Sequence, residues 1–260
     1  MEYKTLMLDS KGPVATITLN RPEKRNAISA QMIDELLAAF AETEAAPARV
    51  VTITGSGKSF CSGMDLDALR SLAHQPFERN LEDSRRLAKL LLRIYTFPKP
   101  VISAVNGPAI AGGCGIATLA DFTLAAQEAK FGYTEVRIGF IPAVVSVFLR
   151  RQIGQRRTRD LLLSGRIIDA VEAHRLGLVT EVVPAGALAA RTKELIGTLL
   201  AASPESIART KRLLVGYDEA ALKMELDVAI RENAEIRATE DFREGLSAFL
   251  EKREPKWSGG

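Results

Sequence analysis

Apolar and polar residues alternate along residues 3–9 and 14–20, and Ser10-Lys11-Gly12-Pro13 between them is a turn signal, so the chain is predicted to open with a β-hairpin. Residues 21–26 are polar and read as a loop. Ser29 is placed to cap a helix whose apolar residues Met32, Ile33, Leu36, Leu37 and Phe40 recur at helical spacing. The β-branched run 49–54 predicts a buried strand. It ends in Gly55-Ser56-Gly57-Lys58-Ser59, a loop at a strand's C-terminal end, where α/β proteins commonly build their sites. Residues 69–97 carry a helical pattern broken near Gln75-Pro76, and 98–105 read as another buried strand. A glycine-rich turn from Asn106 to Gly115 leads into a buried helix at 116–120. Short extended pieces follow at 121–126 and 129–132, then an apolar helix at 143–153.

From about residue 160 the pattern changes to helix after helix, at 157–163, 170–176, 186–202, 204–215, 219–238 and 240–252, with only the short strand 179–183 between them. Ser203-Pro204 opens one helix with proline at its first position, and Asp169 can cap another with Glu172 three residues on. Strand–helix alternation first and helices last predict an α/β core over residues 1–195 and a helical region over 196–260. The last residues, 257–260, read as frayed.

Composition narrows the function classes. A chain of 260 residues with 47% apolar and 26% charged residues has an ordinary globular profile. A net charge of +3 and the lack of a basic stripe interleaved with aromatics argue against nucleic acid. The densest basic cluster, Arg150-Arg151 with Arg156, Arg157 and Arg159, reads as a solvated surface, with a phosphate site or an acidic subunit neighbour as the alternative. Cys61 and Cys114 lie far apart with no CxxC spacing and read as buried free thiols of a reducing compartment. Two histidines, His74 and His174, are too few for a histidine metal site or a serine triad, so no metal is expected. Met1-Glu2-Tyr3-Lys4 passes straight into a strand pattern and no apolar run is long enough to span a bilayer, so no signal peptide, no membrane partner and a cytoplasmic location are expected.

The candidate chemistry starts at the glycine turn. Glycines at a strand-to-helix junction let the backbone bend and approach a ligand, and the first N–H groups of the helix can meet negative charge. The alternative is tight helix–strand packing. Gly107-x4-Gly112 is followed by Gly113-Cys114 and not Lys-Ser/Thr, so it is no phosphate loop, and GxGxxG and GxSxG spacings are absent. Glu135, twenty residues past Gly115, is the candidate acid/base, because Val136, Ile138 and Phe140 around it could raise its pKa by desolvation. The alternative is a surface glutamate on a turn.

Four separated segments then converge. They are Leu19-Asn20-Arg21-Pro22 with Asn26-Ala27; Phe60-x-Ser62-Gly63-Met64-Asp65; Asn106-Gly107-Pro108-Ala109 through Gly112-Gly113 to Asp121; and Phe131-Gly132-Tyr133-Thr134-Glu135-Val136-Arg137-Ile138-Gly139. With Thr239-Glu240-Asp241-x2-Glu244-Gly245-x2-Ala248-Phe249-Leu250-Glu251-Lys252-Arg253, they resemble the enoyl-CoA hydratase/isomerase (crotonase) superfamily over nearly the whole chain. The resemblance implies an α/β crotonase-like fold, a spiral of ββα units with a C-terminal helical trimerisation region. It implies an acyl-CoA thioester substrate, coenzyme A being part of the substrate and no separate cofactor being needed, and self-association as a trimer or hexamer. By position, the N–H groups of Met64 and Gly112 would form an oxyanion hole, each such donor being worth roughly 3–4 kcal/mol to the transition state. Glu135 would exchange a proton with the substrate's α-carbon. Lys24, Arg25 and Ala27 lie where the family's adenine and phosphate contacts begin. Ser62, Asp65, Leu66 and Asp67 would follow the pantetheine path, with Gly113 and Gly115 beside the substrate and no phosphate contact from Asp67. Phe249 and Lys252 match residues that reach a neighbouring subunit's CoA.

One departure matters. The well-studied hydratases carry a first glutamate where this chain has Gly115, and Ile141-Pro142 is followed by Ala143-Val144-Val145-Ser146 instead of glycines. The expected activity is therefore an enoyl-CoA hydratase running on the single carboxylate Glu135, in fatty-acid or branched-chain acyl-CoA metabolism; the run 135–146 looks most like a subgroup that includes methylglutaconyl-CoA hydratases. An enoyl-CoA isomerase using Glu135 is the runner-up, and a non-catalytic acyl-CoA-binding paralogue is the alternative from another class.

Overall fold

The computed structural model describes residues 2–184 and 186–258. Strands β1 (Leu6–Asp9) and β2 (Val14–Leu19) pair antiparallel, as their alternation and the turn between them require. Helix α1 (Ala30–Ala45) follows, capped by the Ser29 hydroxyl, which accepts from the Met32 N–H. Strand β3 (Val50–Gly55) is next, then α2 (Leu66–Leu72), α3 (Phe77–Tyr95) and β4 (Val101–Val105). Two-residue β5 (Ala109–Ile110) leads into the short helix α4 (Gly112–Thr118), and β6 (Phe122–Ala126) and β7 (Lys130–Gly132) follow. The chain continues through α5 (Ala143–Ser164), β8 (Ile167–Asp169), α6 (Ala170–Leu176) and β9 (Glu181–Val183). It closes with α7 (Leu188–Ala201), α8 (Pro204–Gly216), α9 (Glu219–Glu235) and α10 (Glu240–Glu251).

The larger sheet runs β1-β2-β3-β4-β6-β9, parallel at every pairing after the first hairpin. Central β4 is buried at every residue, which is why its sequence is apolar but for Ser103 where β2 alternates. A smaller sheet, β5-β7-β8, stands beside it. The main core lies between the larger sheet and α1, α3, α4 and α5; α9 packs across α3 and α5 from outside. On the opposite face of the sheet, Val50, Ile102, Leu124 and Val183 meet Leu195, Ile196 and Leu199 of α7. The expected boundary at residue 195 falls inside α7, whose whole length lies on the strands.

The helices expected separately at 143–153 and 157–163 are separate, because Gly154 at φ 75° and ψ 164° is non-helical and divides α5 into two pieces. Two details depart from the pattern reading. Strand β8 was not foreseen; only three residues long, it exists because β7 offers it an edge. The tail is pinned and not frayed as far as Ser258, whose N–H and Oγ both donate to Asp241 Oδ1 at 3.2 and 2.9 Å. Gly259 and Gly260 lie outside the described residues. Among the described residues no helix is long and apolar enough to cross a membrane.

Candidate active site

The glycine turn after β4 is held by a crossing loop. Asn106 accepts from the Gly55 N–H at 3.2 Å and donates to the Gly57 carbonyl at 3.0 Å. A Cβ on Gly107 would stand 2.1 Å from the Lys58 carbonyl oxygen, so only glycine fits where the two loops cross. The chain then turns through Ala111, whose φ of 52° and ψ of −128° are sterically costly for any residue with a Cβ. The Ala111 N–H donates to the Gly132 carbonyl at 2.7 Å. Gly112 follows as the first residue of α4, and its N–H has no backbone partner among the described residues. Met64 arrives from the other side. Gly63 accepts from the Ile28 N–H at 2.8 Å and Asp65 donates to the Ile28 carbonyl at 2.9 Å, which turns the intervening Met64 N–H away from Ile28. It too has no backbone partner among the described residues. Met64 and Gly112 line one cavity of about 130 Å³.

Glu135 lines the same cavity. It begins a short 3₁₀ turn, Glu135–Ile138, that ends on Gly139 in the left-handed region, and the Phe140 N–H donates back to the Glu135 carbonyl at 3.1 Å. Helix α10 clamps that turn. A Cβ on Gly245 would stand 2.4 Å from the Ile138 carbonyl carbon, and one on Gly139 2.2 Å from the Asp241 carbonyl oxygen. The Glu135 side chain is buried, 8% of its residue surface remaining exposed, and its Oε2 has no hydrogen-bond partner. Burial pushes its carboxyl up to about 7, opposed only by the N–H of its own residue. A carboxyl so placed changes protonation near neutral pH and is free to take or give a proton in the cavity.

A second opening adjoins the first, since Ser62, Met64, Leu66 and Phe249 line both. Lys24, Arg25, Ala27 and Asp65 line this mouth, with Asp67 and Arg70. Arg25 and Asn26 sit at φ 51° and 55° in a tight turn, held by the Asn26 side chain, which donates to the Ser56 and Ser59 carbonyls at 2.9 and 2.8 Å. The Asp65 carboxylate is engaged with Arg21 at 2.7 Å and with the Asp67 N–H at 3.0 Å. Burial acts to raise its pKa, but these partners outweigh burial and hold it below the ordinary carboxylate value. Asp67 faces Lys24 at 3.4 Å and Arg70 at 3.5 Å.

Three expected residues do not reach either opening. A Cβ on Gly113 would stand 2.5 Å from the Cys61 carbonyl oxygen, so that glycine serves packing. Gly115 is buried and packs likewise: an added Cβ would meet Val145 Cγ1 at 2.8 Å and both Leu91 methyls at 3.8 Å. The side chain of Val145 therefore lies against the position where a first glutamate would begin. Lys252 is exposed at the left-handed end of α10 and lines neither opening. Pattern reading foresaw Phe140 beside Glu135 but missed Leu87, Val144 and Val145 of the inner wall, which look like ordinary core, and Asn233.

The two cysteines are buried and free, and burial pushes both thiols up to about 12. Among the described residues no cluster of histidine, cysteine or carboxylates could hold a metal ion. In the arginine cluster, Arg150 pairs with Glu225, and Arg151 with Glu225 and Asp218.

Comparison with known proteins agrees with this architecture. The family model described as enoyl-CoA hydratase/isomerase matches residues 9–260. A Thermus thermophilus protein provisionally named an enoyl-CoA hydratase is 43% identical over 95% of this chain and 98% of its own length. The 2,3-dehydroadipyl-CoA hydratase of Escherichia coli K12 is 34% identical over 98% of each chain. Among solved structures, an enoyl-CoA hydratase/isomerase from Xanthobacter autotrophicus Py2 superposes with a TM-score of 0.89 at 29% identity, covering 97% of this chain and 98% of that one. An enoyl-CoA hydratase from Shewanella pealeana gives 0.81 at 34% identity, covering 98% and 97%. The chain belongs to the enoyl-CoA hydratase/isomerase family and has the crotonase fold.

Proposed function

We propose that this enzyme adds water across the double bond of a 2-enoyl-CoA thioester, with Glu135 as the acid/base and the Met64 and Gly112 N–H groups as the oxyanion hole. One observation carries the reading: a buried carboxyl with an unpartnered oxygen shares a cavity with two unpaired main-chain donors. The thioester oxygen lies against the two N–H groups. Ionised Glu135 takes a proton from water as the water oxygen bonds to C3, and the electron pair of the double bond moves through C2 onto the thioester oxygen. The enolate is met by donors already in place, so no reorganisation is needed as charge develops. The same carboxyl then returns the proton to C2, giving a 3-hydroxyacyl-CoA and regenerating the carboxylate. Lys24 and Arg25 at the mouth supply positive charge for the phosphates of CoA, and Ser62 and Leu66 flank the path inward. The likeness to a named hydratase of E. coli supports water addition.

A second reading rests on Gly115. The space beside it is filled by Val145 and Leu91, so only one carboxyl serves the cavity wall there. A single carboxyl can also carry a proton from C2 to C4 of a 3-enoyl-CoA and shift its double bond to C2–C3 without water. Incubation of wild type and Glu135→Gln with a 2-enoyl-CoA and, separately, with a 3-enoyl-CoA in heavy-oxygen water separates the readings. Hydration places the label at C3 and is lost in the variant. A 3-enoyl-CoA converted to the 2-enoyl ester without gaining label overturns hydration in favour of isomerisation, and retention of full activity by Glu135→Gln overturns both. Self-association is supported by Leu213, Leu214, Tyr217, Met224 and Val228, apolar and exposed on α8, α9 and the turn between them, and sedimentation in solution tests it.

A further inference from the structure

Besides Glu135, Ser62 and Thr134, the otherwise apolar cavity is lined by one further polar side chain. Asn233, on α9, is 3% exposed and lines the cavity together with Glu135, Leu87, Val144 and Val145. It does not line the mouth. Its orientation is fixed by chemistry. Arg237 Nη2 lies 2.8 Å from Asn233 Oδ1, and Ser84 Oγ lies 2.8 Å from the same oxygen. A guanidinium has donors and no acceptor, so the amide oxygen must face Arg237 and the amide nitrogen must face the other way. Among the described residues Asn233 Nδ2 has no hydrogen-bond partner, and it is not among the fully enclosed polar atoms, so it stays open to a ligand or solvent. Arg237 is itself fully buried, paired with Asp83 at 2.9 Å and stacked 5.8 Å from the Phe140 ring. Its charge draws electron density from the Asn233 oxygen and strengthens the N–H donors on the cavity side.

We infer that Asn233 is a specificity-determining residue, and that the enzyme's preferred acyl group carries an oxygen acceptor, a carboxylate or a carbonyl, where it meets Asn233. The inference rests on the enoyl-CoA reading of the site and adds the chemical class of the acyl chain. A plain alkyl end would bury against Nδ2 and leave the donor stranded. An oxygen there accepts a hydrogen bond from Nδ2.

The test compares 2-enoyl-CoA esters of equal length ending in a methyl group, a methyl ketone or a carboxylate, over short and medium chain lengths. In wild type, kcat/KM for at least one oxygen-ended ester exceeds that of its alkyl partner by about tenfold, the effect of one buried hydrogen bond. Asn233→Asp keeps an oxygen towards Arg237 and Ser84 and removes the donor, and brings the ketone-to-alkyl ratio close to one. Equal or better use of the alkyl ester by wild type at every length overturns this inference and leaves the hydratase reading standing. A ketone preference that persists in Asn233→Asp overturns it as well. Absence of turnover for all three esters overturns both readings.

Discussion

Glu135 couples the chemistry of the site to the stability of the fold. Its carboxyl ordinarily ionises at 4.5, and burial pushes it up to about 7 in the folded chain. Below about pH 4.5 both folded and unfolded chains hold the proton, and its contribution to stability is fully present. Between about 4.5 and 7 the unfolded chain releases the proton while the folded chain keeps it, so stability falls as pH rises, and above about 7 the loss is complete. At about 1.4 kcal/mol per pH unit, the interval is worth about 3 kcal/mol. Glu135→Gln removes the titration and keeps the shape. Urea unfolding of both proteins at one protein concentration, from about pH 4.5 to 8.5, is expected to give a stability difference that grows in the variant's favour by about 3 kcal/mol and then levels off. Hydration by wild type is expected to fall about tenfold per unit below pH 7, as the ionised base is titrated away. A stability difference independent of pH would mean that Glu135 is not desolvated, and the reasoning about its role as a base would fail with it.

Three further outcomes follow from named contacts. Gly115→Ala drives a methyl into Val145 and is expected to destabilise by about 1–3 kcal/mol, with Val145→Ala restoring most of the loss in the double variant; simple addition of the two losses in a melting experiment would refute the contact. Ala111→Gly releases strain of about 1–3 kcal/mol and admits extra unfolded-state freedom of about 0.4–1 kcal/mol, so unfolding in urea should show a net gain near 1 kcal/mol; a loss would contradict the strain at φ 52°. Arg21→Met strands the buried Asp65 carboxylate and is expected to cost about 3–5 kcal/mol, whereas Arg21→Met with Asp65→Leu costs much less; chemical unfolding of the two variants decides, and equal losses would show the pair to be unimportant.

Much of the fold was legible because the signals were local. Ser29, Asp169, Ser203 and Thr239 each cap the helix that follows by accepting an N–H. The alternation of β2 and the largely apolar run of β4 reported one-sided and two-sided burial. Strand β8 was not legible, because three residues become a strand only when a partner is supplied from far along the chain. The segments carrying Met64, Gly112 and Glu135 were found by motif, and the structure gathers all three around one cavity. Gly113 and Gly115 were drawn into that group by adjacency, although their neighbours are Cys61 and Val145. Asn233 escaped notice, yet a signal existed. Leu222, Leu226, Ala229 and Asn233 follow one another at helical spacing, all buried, and a polar residue at the fourth place of such a stripe is a question the pattern poses.

The unpaired N–H groups of Met64 and Gly112 belong to the main chain, so no codon spells them. What descent has to keep is a pair of bends, Gly63 at φ 90° and Ala111 at φ 52°, and the helix start that follows the second. An alanine scan disturbs such a place through the bend at Gly63, where an added Cβ would stand 3.0 Å from the Ile110 carbonyl oxygen, and never removes the donors themselves. The residues of the inner wall, by contrast, are spelled one by one and can be respelled without disturbing the bends. A lineage built this way can trade one acyl group for another while inheriting its donors unchanged.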